Sequence, residues 1–89
     1  MWRWDMVNDS KIKSDSYISI GKNIQKLRLE RSYTQAYMIR EMQLLGCKTT
    51  KQNYSKYEKD LAHISASELV AIAQILNVTL EELFSYRKN

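Results

Sequence analysis

Eighty-nine residues supply one small domain, a size at which folding buries only about 60–65% of the unfolded chain's surface, so a two-domain enzyme with a cleft between its domains is excluded. Fourteen Lys and Arg against ten Asp and Glu leave a net charge of +4, which favours an anionic partner without identifying it. No apolar run approaches the roughly 18–20 residues that cross a bilayer, and the N-terminus, where Trp2, Trp4 and Met6 alternate with charged and polar groups, lacks the apolar stretch of a secretory signal.

Residues 1–15 carry turn-prone Asn, Asp and Ser and show no sustained apolar period, so they read as a flexible N-terminal tail. A cloning remnant, an early start codon or a loose clasp on the domain each account for Trp2 and Trp4 before a functional aromatic pair is invoked. Residues 16–86 form the domain and 87–89 a C-terminal tail. With two glycines, Gly21 and Gly46, and no proline, little in this chain interrupts helix.

From Tyr17 the helical period is clear. Tyr17, Ile20, Ile24, Leu27 and Arg31 fall in one stripe of a first helix, although Tyr17–Ile20 alone also reads as a short strand. Ser32 breaks the pattern. Thr34 is a good N-cap for a second helix, on which Met38, Met42 and Leu45 share a face with Ile39 at its border. Gly46 ends that helix, because glycine tolerates the left-handed conformation of a C-terminal cap. Cys47–Thr49 make a short connection, and Thr50 caps a third helix running from Lys51 to about Asp60. Ser65 and Glu68 form a capping box that opens a fourth helix with Leu69, Ile72, Ala73 and Leu76 inward. Thr79 and Glu82 form a second, with Val78 and Leu83 placed as a hydrophobic staple, and start a short fifth helix through Phe84. The expected fold is all-α, a compact five-helix bundle.

The third helix carries the chemistry. At 100° per residue, Tyr54, Tyr57, Glu58 and Leu61 share one face, while Gln52, Ser55, Lys56 and Lys59 share the opposite one. A buried Glu58 requires a cation, since an unpaired charge in a core costs several kcal/mol, on the order of a domain's whole stability. Arg28, at the edge of the first helix's apolar stripe, is the natural partner; a small rotation that leaves Glu58 in water is the alternative. The outer face has no carboxylate and offers an amide, a hydroxyl and two ammonium groups. Those groups suit base edges in a DNA major groove, and equally a solvated surface. The charge is also segregated: residues 17–62 hold nine bases and four acids, whereas residues 1–16 are neutral and 63–89 sum to −1.

An enzyme is not expected. His63 is isolated, Cys47 has no histidine beside it, no glycine-rich phosphate loop exists and the acids gather into no pair. No cofactor and no metal site are expected. A single cysteine makes no internal disulfide, which points to a reducing, cytoplasmic setting.

The combination Ile20–Gly21–Lys22–Asn23–Ile24 with Leu27–Arg28, Thr34–Gln35, Thr50–Lys51–Gln52–Asn53–Tyr54–Ser55–Lys56–Tyr57–Glu58, Glu68–Leu69, Ile72–Ala73, Leu76–Asn77–Val78 and Glu82–Leu83–Phe84 resembles the helix-turn-helix domains of the phage Cro and C1 repressor type, the Xre family. The likeness covers residues 17–86 and implies a lambda-repressor-like DNA-binding domain. It implies that Gln35 contacts phosphate and braces the recognition helix, and that Lys51, Gln52, Ser55 and Lys56 face base edges. Thr34, Arg40, Thr50, Asn53 and Lys59 would then face phosphates, and Arg28 with Glu58 would be the family's buried ion pair. Two departures stand out. The second helix and turn, around Gln43–Thr49, are a few residues longer than in the shortest members, and Lys59–Asp60–Leu61–Ala62 replaces a more basic, glycine-containing run.

The function expected is sequence-specific binding of double-stranded DNA by a transcriptional regulator, with repression by occlusion the simplest mechanism. A lone domain reads too few base pairs to single out a site in a genome, so a homodimer on an inverted repeat is expected. Leu80, Phe84 and Tyr86 at the C-terminal end offer a dimer surface, and Tyr37 and Leu44 on the second helix offer another. No membrane partner is expected. The alternative function is an antitoxin or protein-interaction module using the same helical fold.

Overall fold

Every helix among the described residues starts on a hydroxyl side chain. In the computed structural model, which describes residues 11–12 and 19–85, the helices are α1 (Ile20–Glu30), α2 (Gln35–Leu44), α3 (Lys51–Glu58), α4 (Ala66–Leu76) and α5 (Leu80–Phe84). Their N-caps are Ser19, Thr34, Thr50, Ser65 and Thr79, whose side-chain oxygens accept from the N–H groups of Lys22, Tyr37, Asn53, Glu68 and Glu82. Each bond satisfies a backbone donor that the first turn cannot pair internally. Glu68 and Glu82 bond back to the Ser65 and Thr79 N–H groups, completing both expected capping boxes.

Four helices stop in the same way. Ser32, Gly46, Asp60 and Asn77 take φ of 59°, 97°, 58° and 59°, and the next residue's N–H turns back: Tyr33 to Arg28 O, Cys47 to Met42 O, Leu61 to Lys56 O and Val78 to Ala73 O. This is the Schellman arrangement, which caps the last carbonyls of a helix. Only one of the four positions is glycine, so the other three rely on short polar residues that tolerate the left-handed region.

The helices pack α1 on α3 and α5, α2 on α3 and α4, and α4 on α5. Between them lie Ile20, Ile24, Met38, Met42, Tyr54, Tyr57, Ile64, Leu69, Ala71, Ile72, Ala73, Leu76 and Leu83. Asn23 fixes α1 to α5 by donating Nδ2–H to Leu83 O at 2.7 Å. At the other edge of α1, Gly21 lies against the end of α3. A Cβ there would stand 2.3 Å from Tyr57 O and 2.8 Å from Glu58 O, so the two backbones approach as only glycine permits.

Three expectations for the helices are corrected. The third helix ends at Glu58, two residues short of Asp60, and Leu61 is 70% exposed, not inward. The periodic pattern extends through Leu61, but the left-handed turn at Asp60 reverses its direction. Leu45 is likewise exposed, because it is the C-cap of α2 and has left the stripe of Met38 and Met42. Within the span read as tail, Lys11–Ile12 forms β1, which pairs antiparallel with β2 (Ile64–Ser65) in the register Lys11↔Ser65 and Ile12↔Ile64. Two residues are too short to show a period, so only pairing with a distant partner reveals them. Trp2, Trp4, Tyr17 and Tyr86 lie outside the described residues. Among the described residues, no helix is long and apolar enough to cross a membrane.

Candidate nucleic-acid interface

The third helix is held from behind by a buried polar network. Arg28 Nε donates to Glu58 Oε2 at 2.6 Å, and its Nη2 to Oε1 at 3.0 Å. The remaining guanidinium nitrogen, Nη1, donates to Tyr33 O at 2.9 Å. Glu58 also accepts from Gln35 Nε2 at 2.9 Å and Tyr54 Oη at 2.6 Å. The hydrogen bond with Glu58 holds the Arg28 guanidinium above its ordinary pKa, against the opposing effect of burial. Burial, and then the neighbouring Glu58 carboxylate, push the Tyr54 phenol far above its usual range, so it stays a donor. Among the described residues no buried side-chain nitrogen or oxygen lacks a partner. α1, α2 and α3 are thereby locked through one carboxylate.

With that side of α3 turned inward, the opposite side is open. Lys51, Gln52, Ser55, Lys56 and Lys59 line one shallow groove together with Leu61. Gln35, Ala36, Ile39, Arg40, Gln43 and Lys51 line a second, between α2 and α3. Lys51 borders both, so the two grooves make one face carrying Lys51, Lys56, Lys59 and Arg40 as cations. Gln35 bonds to Glu58 and also borders the open groove. Thr34 and Thr50 are exposed N-caps, each at a helix terminus whose backbone N–H groups and dipole favour an anion. Asn53 lies apart from the Lys56 groove, beside Lys48 in a cleft that also includes Ser65, Ser67 and Glu68. The structure thus adds Lys48, Leu61 and Gln43 to the residues expected here. Lys48 was legible only as part of the basic excess, and Leu61 was hidden by its place in the apolar period.

The longer turn between α2 and α3 has its own anchor. Gln43 Nε2 donates to Thr49 O at 3.0 Å, and the buried Thr49 donates from Oγ1 to Glu68 Oε2 at 2.7 Å. Glu68 further accepts from Tyr57 Oη at 2.9 Å and from Ser65 Oγ at 2.7 Å. Burial alone would raise the Glu68 carboxyl, but the bonds from Thr49, Ser65 and Tyr57 outweigh it and hold the group below its ordinary value of 4.5. A carboxyl depressed in the folded state contributes stability that is complete above its unfolded pKa and is lost as pH falls through the folded one. Stability should therefore decline below about pH 4.5, and Glu68→Gln should flatten that decline in urea titrations run at successive pH values. An acid limb identical in both proteins would show that other carboxyls set it.

The helix-turn-helix family HTH_3 matches residues 24–83, the span from the core of α1 to the core of α5. The chain belongs to this family. It is the Xre, or Cro and C1, type that the motifs resemble, and its members are non-catalytic DNA-binding domains of transcriptional regulators. The helix-turn-helix assignment also agrees with the architecture: the chain superposes on the restriction-modification controller protein C.AhdI from Aeromonas hydrophila with a TM-score of 0.66 and 16% identity, over 76% of this chain and 96% of that one. No curated protein matches the sequence. A helix-turn-helix domain needs no metal for its fold, and among the described residues no group of three or more His, Cys, Asp and Glu could hold one.

Proposed function

We propose that this helix-turn-helix chain is a transcriptional repressor that reads the major groove of duplex DNA with α3, as a homodimer on an inverted repeat. The observation that carries the reading is the two-sidedness of α3. Its one carboxylate, Glu58, is neutralised and buried behind the helix, while Lys51, Gln52, Ser55, Lys56 and Lys59 share an open face. Lys51, Gln52, Ser55 and Lys56 contact base edges, where amide and ammonium groups match the donor and acceptor pattern of adenine and guanine. Gln35, Thr34, Thr50, Asn53, Lys59 and Arg40 contact phosphates and set the register. The similarly folded C.AhdI is by name a controller protein, in keeping with a regulatory role. The dimer forms through α5, where Leu80 is exposed and Phe84 half-buried.

Selection from a random duplex library at about 0.15 M salt tests this reading. Recovery of an inverted repeat supports it, and the half-site spacing then locates the dimer interface. On the recovered site, Gln52→Ala and Lys56→Ala should each cost about 1–3 kcal/mol while leaving non-specific binding nearly intact. Equal losses on every sequence would place both residues on phosphates.

A second reading, a protein-interaction module such as an antitoxin, rests on the exposed Tyr37, Leu44 and Leu45. They line a groove with Ile75 on the far side of α2. Salt separates the two: DNA affinity should fall by about 0.9 log units per log unit of salt for each phosphate neutralised, whereas an apolar protein contact should not weaken.

A further inference from the structure

Leu61 is 70% exposed, and its surroundings distinguish it from the other exposed aliphatic residues. Leu29, Leu44, Val70 and Leu80 are on α1, α2, α4 and α5, and Leu45 is the C-cap of α2, whereas Leu61 lines the groove of Lys51, Gln52, Ser55, Lys56 and Lys59. It arrives there because α3 stops early. Asp60 takes φ 58° and the Leu61 N–H turns back to Lys56 O at 2.9 Å, a geometry that brings the following side chain over the helix's last turn. The turn is clamped from α1: the Asp60 carboxylate accepts from Ser19 Oγ at 2.6 Å and from the Gly21 N–H at 2.9 Å. The outward position of Leu61 is therefore built into the packing of α1 on α3.

A side chain with no donor or acceptor can read one feature of a base edge in the major groove, the 5-methyl group of thymine. We infer that Leu61 is a specificity-determining residue that recognises a thymine methyl group beside the bases read by Gln52 and Lys56. The inference rests on the DNA-reading function proposed above, and it adds a hydrophobic element to a groove whose other lining side chains carry amide, hydroxyl and ammonium groups.

The test uses the duplex recovered by selection, remade with each thymine in turn replaced by deoxyuridine, which lacks only the methyl group. Each duplex is titrated with the wild-type chain and with Leu61→Ala, whose melting temperature should match the wild type because the side chain is exposed. At one thymine position, deoxyuridine should weaken wild-type binding about three- to tenfold, the range for one methyl-sized apolar contact. Leu61→Ala should bind the thymine duplex more weakly by a similar factor and should no longer distinguish it from the deoxyuridine duplex. Wild-type affinity unchanged by every replacement, a selected site without thymine, or a Leu61→Ala variant that still discriminates would each overturn the inference and leave the DNA-reading function standing. Failure to recover any bound duplex would remove that function, and the methyl contact with it.

Discussion

Glu58→Ala is expected to cost about 3–5 kcal/mol of folding stability, because it strands a buried guanidinium without its counter-charge. Glu58 is 4% exposed and Arg28 7%, so water cannot take over the lost bonds. The carboxylate accepts from Arg28 Nε and Nη2, from Gln35 Nε2 and from Tyr54 Oη; its loss leaves four donors to be satisfied at once. For a domain of this size the melting temperature should fall by roughly 15 °C or more. A double variant, Arg28→Met with Glu58→Leu, separates charge stranding from lost packing. Removing both charges should cost much less than the two single changes together, since a buried ion pair can be exchanged for apolar groups at little net cost. A Glu58→Ala protein that melts with the wild type would mean the network contributes nothing. Because Gln35 also borders the α2–α3 groove, loss of Glu58 should weaken DNA binding even at temperatures where the variant remains folded.

Gly21→Ala is the second large effect, and helix propensity predicts the opposite sign. Alanine within a helix is favoured over glycine by about 1 kcal/mol, so propensity alone forecasts a more stable α1. The packing forecasts a loss. The added Cβ would meet Tyr57 O at 2.3 Å, Asp60 Oδ1 at 2.7 Å and Glu58 O at 2.8 Å, and two of those atoms are backbone, which cannot swing aside. Relief requires moving the start of α1 away from the end of α3, stretching the bonds from Ser19 and Gly21 to Asp60. Overpacking of this kind costs roughly 1–3 kcal/mol and occasionally more, and backbone obstacles place this case at the upper end. A net loss of about 2 kcal/mol or more is expected in urea unfolding after the propensity gain is offset. A stabilised Gly21→Ala protein would show that the helices separate easily and that the α1–α3 contact is soft.

These two sites differ in how far the sequence exposes them. Arg28 and Glu58 can be paired from the helical wheels alone, because Glu58 falls on an aromatic face where a charge needs a partner and Arg28 is the nearest cation on a neighbouring apolar stripe. The same reasoning misplaces Leu61. The period that puts Tyr54, Tyr57 and Glu58 together runs on through it, and nothing within four residues announces that Asp60 will turn left-handed. That turn is held by Ser19 and Gly21, about forty positions earlier in the chain. Gly21 likewise contributes a letter to a motif, but its need to be glycine is apparent only beside the carbonyls of Tyr57 and Glu58.

What the sequence by itself determined are the features written within a few residues: the Ser and Thr caps, the capping boxes at Ser65–Glu68 and Thr79–Glu82, the left-handed stop at Gly46, the apolar stripes and the carboxylate-free face of α3. Together with the motif register, these were enough for the five-helix fold and its family. Only the tertiary structure decided where α3 ends, that Leu61 joins the cationic groove, that Thr49 anchors the longer turn on Glu68, and that Lys11–Ile12 pairs with Ile64–Ser65. The physical reason is the range of the interactions. Caps and periodicity are set by neighbours three or four residues apart, whereas these four outcomes depend on hydrogen bonds and close approaches between segments brought together only when the core of Ile24, Met38, Tyr54, Ile72 and Leu76 forms.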